Sequence, residues 1–136
     1  MTQSNLKYGD GSATYEAVGG LLGLQKLVTE FYRLMHESPD YQGIRDMHPK
    51  DLDLSIDKLV SFLSGWMGGE ALYLKKYGGG GMPQKHMHLK IGEAERDMWL
   101  NCMHEALNNQ DYPESLISYL MTELAFPAER IYLTSQ

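Results

Sequence analysis

The sequence predicts an all-α fold. Apolar residues recur at spacings of three and four in several segments, no segment alternates with a period of two, and no repeat of 20 to 50 residues is visible. The chain has 136 residues, of which 43% are hydrophobic and 22% charged, a composition typical of a globular protein. We expect a flexible polar arm at residues 1–13 and one folded domain at residues 14–136.

The first strong helix is predicted over residues 20–37. Tyr32 lies four residues after Val28 and therefore shares its face. The sequence Ser38-Pro39-Asp40 is a turn signal, so we expect residues 39–51 to form a loop that carries Tyr41, His48 and Pro49. The apolar face of this helix comprises Leu24, Leu27, Val28, Phe31, Leu34 and Met35.

A second helix is predicted between the potential caps Asp51 and Asp53 and the pair Gly68-Gly69. Its apolar residues cover more than one stripe, which favours burial against two partners, such as another helix and a large apolar ligand. These residues are Ile56, Leu59, Val60, Phe62, Leu63, Trp66 and Met67.

Three further helices follow. A short one is expected at 70–77, ahead of a run of four glycines, and a longer one at 92–109, with Glu95, Arg96 and Asp97 facing outward. The segment 111–114 resembles a capping box before a last helix, which Pro127 is expected to end or kink. The inward residues of these two longer helices are Trp99, Cys102, Met103, Ala106 and Leu107, then Leu116, Ile117, Leu120 and Leu124.

Charge and cysteine content exclude several classes of function. A net charge of -6 argues against a general nucleic-acid or anionic-membrane surface, so small molecules are the expected partners. The single cysteine, Cys102, cannot form an internal disulfide, and the N-terminus lacks the apolar core of a signal peptide. We therefore expect a cytoplasmic protein without a transmembrane span.

The stretch GGGGMPQKHMHL at 78–89 is the unusual part of the sequence. A phosphate loop needs Lys-Ser/Thr before a helix, and a zinc site needs more ligands than the nearby His86 and His88, so both are disfavoured. Haem needs one strong protein ligand, with apolar walls and distal donors such as Tyr32 and Trp99. Each residue also has an ordinary alternative, since a lone histidine is usually a surface residue and an inward tyrosine or tryptophan usually core.

Several strings together favour the haem interpretation. YEAVGG at 15–20, FYRLM at 31–35, MHPKDL at 47–52, FLSGWMGG at 62–69 and GEAERDMWLNCMHEAL at 92–107 occur in this order. With a histidine thirteen residues before the tryptophan, the chain resembles the group II truncated haemoglobins, the bacterial truncated haemoglobins of the O type. The resemblance implies a truncated globin fold, in which two helix pairs form a two-over-two sandwich around haem.

The resemblance also implies roles for individual residues. His86 corresponds to the proximal iron ligand, and Trp99, Tyr32 and His48 correspond to distal residues that stabilise the bound ligand. His48 or Tyr32 is also a candidate sixth ligand of the iron. The family's arginines beside the proximal histidine are missing here, and Lys85 is the only cation immediately before His86. The haem-pocket residues implied are His86, Ser55, Leu59, Phe62, Leu63, Tyr73, Tyr77, Lys85 and Trp99.

The expected function is reversible binding of dioxygen, or of NO or CO, at haem b, with roles such as oxygen transport. An alternative is a haem enzyme that oxidises nitric oxide with dioxygen or removes peroxide. Because the sequence contains no flavin or nicotinamide domain, such an enzyme would need an external reductase. A third alternative is a helical interaction domain without a cofactor. A monomer or weak dimer is expected.

Overall fold

The computed structural model of the protein describes residues 7–79 and 89–134. Over these residues the chain forms helices and no strand, so the all-α prediction is confirmed. The helices are α1 (Ala13–Ala17), α2 (Gly20–Glu37), α3 (Gln42–Arg45), α4 (Asp53–Trp66), α5 (Leu72–Tyr77), α6 (Glu93–Asn108) and α7 (Glu114–Thr134).

Two pairs of helices form the core. Helix α2 packs against α4 and α6, while α6 packs against α7. Helix α2 buries Leu24, Val28 and Phe31 completely, as the spacing of its apolar residues predicts. Cys102 of α6 donates its S–H to the Phe31 carbonyl at 3.2 Å, so α2 and α6 lie close together. This arrangement agrees with the predicted two-over-two globin sandwich.

Helix α1 was not predicted, and it meets α2 in a tight turn. Gly19 has a φ of 99°, a left-handed value that other residues rarely adopt. A Cβ on Gly23 would lie 1.9 Å from the Val18 carbonyl oxygen, so this contact requires glycine. The Tyr112 hydroxyl donates to the same oxygen at 2.8 Å, which ties the turn to the segment before α7.

Residues 7–12 contact the helical domain. The Gly9 N–H donates to the Thr14 hydroxyl at 2.8 Å, and the Tyr8 ring packs on Tyr119 with centroids 5.3 Å apart. Gly68 has a φ of 96°, and a Cβ there would lie 1.9 Å from the Gly11 carbonyl oxygen. The end of the predicted arm therefore lies against the end of α4.

The prediction of a loop at 39–51 was wrong, and of the two outcomes expected at Pro127, an end or a kink, the first does not occur. The segment 39–51, expected to be a loop, contains a 3₁₀ turn at Pro39–Tyr41 and the one-turn helix α3. Helix α7 does not end at Pro127 but continues to Thr134. An ion pair of 2.7 Å between Arg96 and Glu129 joins the turn after this proline to α6. Of the helices in the described ranges, none is long and apolar enough to span a membrane.

Candidate functional site

A cavity of about 470 Å³ lies among α2, α4, α6 and α7. Most of the residues predicted for the pocket line it: Tyr32, His48, Ser55, Leu59, Phe62, Leu63, Tyr73 and Trp99. The lining also includes Ile44, Met47, Lys58, Leu89, Ile91, Glu95, Arg96, Leu124, Pro127, Ala128 and Ile131.

Of the predicted pocket residues that the structure describes, Tyr77 alone is not on this lining. Tyr77 lies beside the cavity, with its ring centroid 5.0 Å from that of Tyr73. Its hydroxyl donates to Asp57, which raises the pKa of Tyr77 to about 12. Lys85 and His86 lie outside the described residues, so the proximal ligand stays a prediction.

Two hydrogen-bond donors line one side of the cavity. Tyr32 of α2 is only 6% exposed, and the Phe31 ring lies edge-on between Tyr32, at 5.0 Å, and Trp99 of α6, at 5.3 Å. Burial raises the pKa of Tyr32, so its hydroxyl keeps its proton. Within residues 7–79 and 89–134, neither this hydroxyl nor the Trp99 indole N–H has a hydrogen-bond partner.

His48 lies on the same side of the cavity, in the segment after α3. Its Nδ1 is 2.8 Å from the Ile44 carbonyl oxygen, and its ring centroid is 5.5 Å from that of Tyr32. Because a carbonyl oxygen only accepts, Nδ1 must carry the proton. In the neutral imidazole the other nitrogen, Nε2, then carries the lone pair.

The walls of the cavity are mainly apolar. Helix α4 contributes Leu59, Phe62 and Leu63, while α7 contributes its residues around Pro127. Helix α4 also packs against α2. The prediction that this helix buries two faces, one against a helix and one around a ligand cavity, therefore agrees with the structure.

The prediction that Glu95 and Arg96 face outward from their helix was wrong. Both line the cavity, because they precede Trp99 by four and three residues and such residues share a helix face. Lys58 was not predicted for the pocket, although it lies three residues after Ser55 and four before Phe62 and therefore shares their helix face. The pocket residues of α7 were missed because the helix was expected to end or bend at proline.

The described lining carries two basic residues, Lys58 and Arg96. Lys58 is exposed, so it lies where the cavity meets solvent, and its ammonium is 5.5 Å from the Tyr77 ring centroid. Arg96 pairs with Glu129 at 2.7 Å and lies 5.0 Å from the Tyr132 ring centroid. Glu95 accepts a hydrogen bond of 2.7 Å from the Gly92 N–H, which caps the start of α6.

This arrangement fits haem, whose ring is apolar and whose two carboxylates are charged. The volume, about 470 Å³, is within the usual range of small-molecule sites, roughly 300–1,000 Å³. Apolar walls would cover the ring, two unpartnered donors face one side, and a lysine lies at the solvent edge. In the described part of the chain, no three His, Cys, Asp or Glu side chains come together to hold a metal ion.

Comparisons with known proteins agree with this fit. The sequence pattern of the bacterial-like globin family matches residues 13–132. The group 2 truncated hemoglobin YjbI of Bacillus subtilis is 28% identical over 120 residues, which is 88% of both chains.

Solved structures give the same result. The group II 2-on-2 hemoglobin of Agrobacterium tumefaciens has a TM-score of 0.84 and 30% identity, with 96% of this chain and 97% of that chain covered. The truncated oxygen-avid haemoglobin of Bacillus subtilis has a TM-score of 0.77 and 28% identity, with 87% and 97% covered.

Proposed function

Because the chain belongs to the bacterial-like globin family, whose members bind diatomic ligands at haem, we propose that it binds dioxygen reversibly at haem b held in this cavity. His86 is the proposed proximal ligand. It lies thirteen residues before Trp99, the spacing on which the resemblance to the group II proteins depends. The NO and CO molecules are proposed as further ligands of the same site.

The observation that carries this proposal is the pair of unpartnered donors in a mainly apolar cavity. Tyr32 and Trp99 come from different helices, yet both line the same space and have no partner among the described residues. Both groups are open to the cavity rather than sealed in the core, so they are available to an acceptor bound there. A bound ligand with acceptor character would supply the missing partner for both groups.

Haem would supply the iron that binds the diatomic ligand. Tyr32 and Trp99 would then donate hydrogen bonds to dioxygen, which carries partial negative charge when it is bound. Because CO is a weaker acceptor, these bonds would favour dioxygen over CO. Such bonds are strong in a cavity from which water is excluded. Slow release of dioxygen is the expected consequence, and the similarity to an oxygen-avid haemoglobin supports it.

His48 has a different proposed role. Because its Nδ1 donates to the Ile44 carbonyl, the neutral ring of His48 has a lone pair on Nε2 and no second N–H. A lone pair suits a sixth iron ligand better than a donor to dioxygen. We therefore propose His48, ahead of Tyr32, as the sixth ligand in the ferric protein without added ligand, since the tyrosine hydroxyl keeps its proton.

The direct experiment compares three ferric proteins: the wild type, His48→Ala and Tyr32→Phe. We expect a low-spin, six-coordinate fraction in the wild type and in Tyr32→Phe, and its loss in His48→Ala. In the ferrous state all three should bind dioxygen and release it when the gas is replaced by argon. Irreversible oxidation at the first exposure to dioxygen, in all three proteins, would contradict reversible binding.

The basic residues of the lining suggest how haem b would be oriented. Lys58 at the solvent edge is a candidate to pair with its carboxylates, since Arg96 already pairs with Asp97 and Glu129, and Lys85 stays a predicted partner. Haemin whose carboxylates are esterified should therefore bind more weakly than haemin itself. In Lys58→Met this difference should shrink if the lysine makes one of the pairs.

The enzymatic alternative, oxidation of nitric oxide or removal of peroxide, would use the same cavity and an external reductase. Turnover separates it from binding. With a reductant present, an enzyme consumes NO continuously, whereas a binding protein gives one burst equal to its haem content. We propose the binding role because the two donors explain retention of dioxygen without a further component.

A further inference from the structure

We propose that Arg45 is a positioning residue for the distal segment 46–50, and that through this segment it fixes the His48 ring. Arg45 is the last residue of α3 and is only 9% exposed. It does not line the cavity, so any effect on ligand binding must pass through the residues it holds. The inference rests on the proposed role of His48 at the haem.

The Arg45 side chain makes hydrogen bonds in three directions. Its Nη1 donates to the Pro49 carbonyl at 2.9 Å and reaches the His48 carbonyl at 3.5 Å, while Nη2 donates to the Lys50 carbonyl at 3.0 Å. Its Nε donates to Nδ1 of His36 at 3.1 Å. One buried guanidinium thus joins consecutive carbonyls of the segment to a side chain of α2.

The chemistry requires arginine. The guanidinium carries five N–H groups in a planar fork, so it can bond two carbonyls with one edge and an imidazole with Nε. The lysine ammonium is a single point and cannot span the same acceptors. Because residues 48–50 include a proline and lie outside any helix, the charged fork gives their carbonyls partners that a helix does not supply.

The path from Arg45 to the His48 ring is short. The His48 N–H donates to the Arg45 carbonyl at 3.0 Å, and the ring Nδ1 bonds the Ile44 carbonyl one residue earlier. The ring is therefore held against α3 at one end of the segment, and the guanidinium holds the backbone at the other. Releasing the backbone would let the ring leave the Ile44 carbonyl.

His36, the α2 residue that accepts a hydrogen bond from Arg45, offers a second test that leaves the arginine in place. His36 Nδ1 accepts the Nε–H of Arg45, so this nitrogen must lack a proton. Asparagine can place its side-chain oxygen near the position of Nδ1, whereas leucine removes the acceptor. His36→Asn should therefore keep the Arg45 guanidinium in place, whereas His36→Leu should release it. Neither change removes the arginine side chain, so neither leaves a cavity in its place.

The experiment uses the haem-loaded protein and compares Arg45→Met, which keeps the apolar stem, with Arg33→Met. Arg33 is an arginine of α2 whose side chain is 48% exposed and pairs with Glu30 and Glu37, so its replacement controls for loss of one arginine. The first readout is the ¹⁵N shift of the His48 ring nitrogens in the CO-bound ferrous protein. The second is amide exchange at Met47 and His48.

In the wild type and Arg33→Met we expect a protonated Nδ1 at His48. In Arg45→Met the ¹⁵N shifts of the two His48 ring nitrogens should move toward a common average, because the proton is then shared between them. The amides of Met47 and His48 should exchange at least about tenfold faster, the effect of losing one charge-assisted hydrogen bond. His36→Leu should move both readouts in the same direction, and His36→Asn should restore them. If Arg45→Met and His36→Leu both behave like Arg33→Met, the inference is overturned.

A third readout separates positioning from general structure. The ferric spectrum of Arg45→Met should differ from the wild type, and this difference should disappear when both proteins also carry His48→Ala. An equal difference in both backgrounds would mean that Arg45 does not act through His48. If His48→Ala alone leaves the ferric spectrum unchanged, the proposed role of His48 fails instead, while the ring shifts and amide exchange still decide whether Arg45 holds the segment.

Discussion

Replacing Trp99 with phenylalanine tests the role of the distal donors. The tryptophan ring lies against Phe31 at 5.3 Å and 62°, a contact that phenylalanine can keep in part. The indole N–H has no partner among the described residues, so the change breaks no hydrogen bond to any of them. What is lost is one donor toward a bound ligand, together with part of the ring volume.

The size of the effect follows from that donor. A hydrogen bond to an acceptor that carries charge contributes about 1.5–3 kcal/mol. Since about 1.4 kcal/mol changes an equilibrium tenfold, dioxygen should leave Trp99→Phe roughly ten- to a hundredfold faster. Tyr32 keeps its own donor, so release should remain slower than in a variant that lacks both groups.

The assay is stopped-flow displacement of dioxygen by excess CO. The matched control is Trp66→Phe, which changes the other tryptophan; Trp66 is not on the cavity lining. Release of CO, a weaker acceptor, should change much less than release of dioxygen in Trp99→Phe. An unchanged dioxygen rate, or equal acceleration of both gases, would refute hydrogen bonding by the indole.

Three further predictions concern the fold. Gly23→Ala should lower the free energy of unfolding in urea by at least about 2 kcal/mol, since its Cβ would lie 1.9 Å from a carbonyl oxygen, whereas Gly79→Ala, with open space around it, should not. The pKa of the Asp57 carboxyl is lowered by a hydrogen bond from the Tyr77 hydroxyl and by one from the Lys76 ammonium. The ionised carboxyl therefore stabilises the fold, and this stabilisation is lost as the pH falls through the lowered pKa. In urea titrations from about pH 5 to pH 3, Asp57→Asn should lose less stability than the wild type. Burial raises the pKa of the Cys102 thiol to about 12, so iodoacetamide at pH 8.5 should alkylate the native protein at least about a hundredfold more slowly than the unfolded one.

The regular helices could be predicted because their apolar spacing is strong. Helix α2 begins and ends where the pattern of apolar residues indicates, at Gly20 and Glu37. Helix α1 has five residues and α3 has four, too few for periodicity to be recognised. The passage of α7 through Pro127 depends on contacts with α6, which local sequence rules do not include.

The site could be predicted in part. Trp99 and Tyr32 were expected on the distal side, and both line the cavity. Arg96 was placed outward because a charged residue usually faces solvent, although it lies only three residues from Trp99. The hydrogen bonds of Arg45 to the segment could not be predicted from the sequence, because their acceptors are backbone carbonyls and every residue has one.

Reconstitution with haemin tests the central claim most directly. Haemin should bind the purified apoprotein at one molecule per chain and give a sharp Soret band. His86→Ala should lose this band or change it to that of a weaker complex, whereas His104→Ala, at an exposed position of α6, should leave it as in the wild type. A protein that takes up no haemin, or an identical spectrum in His86→Ala, would contradict the account.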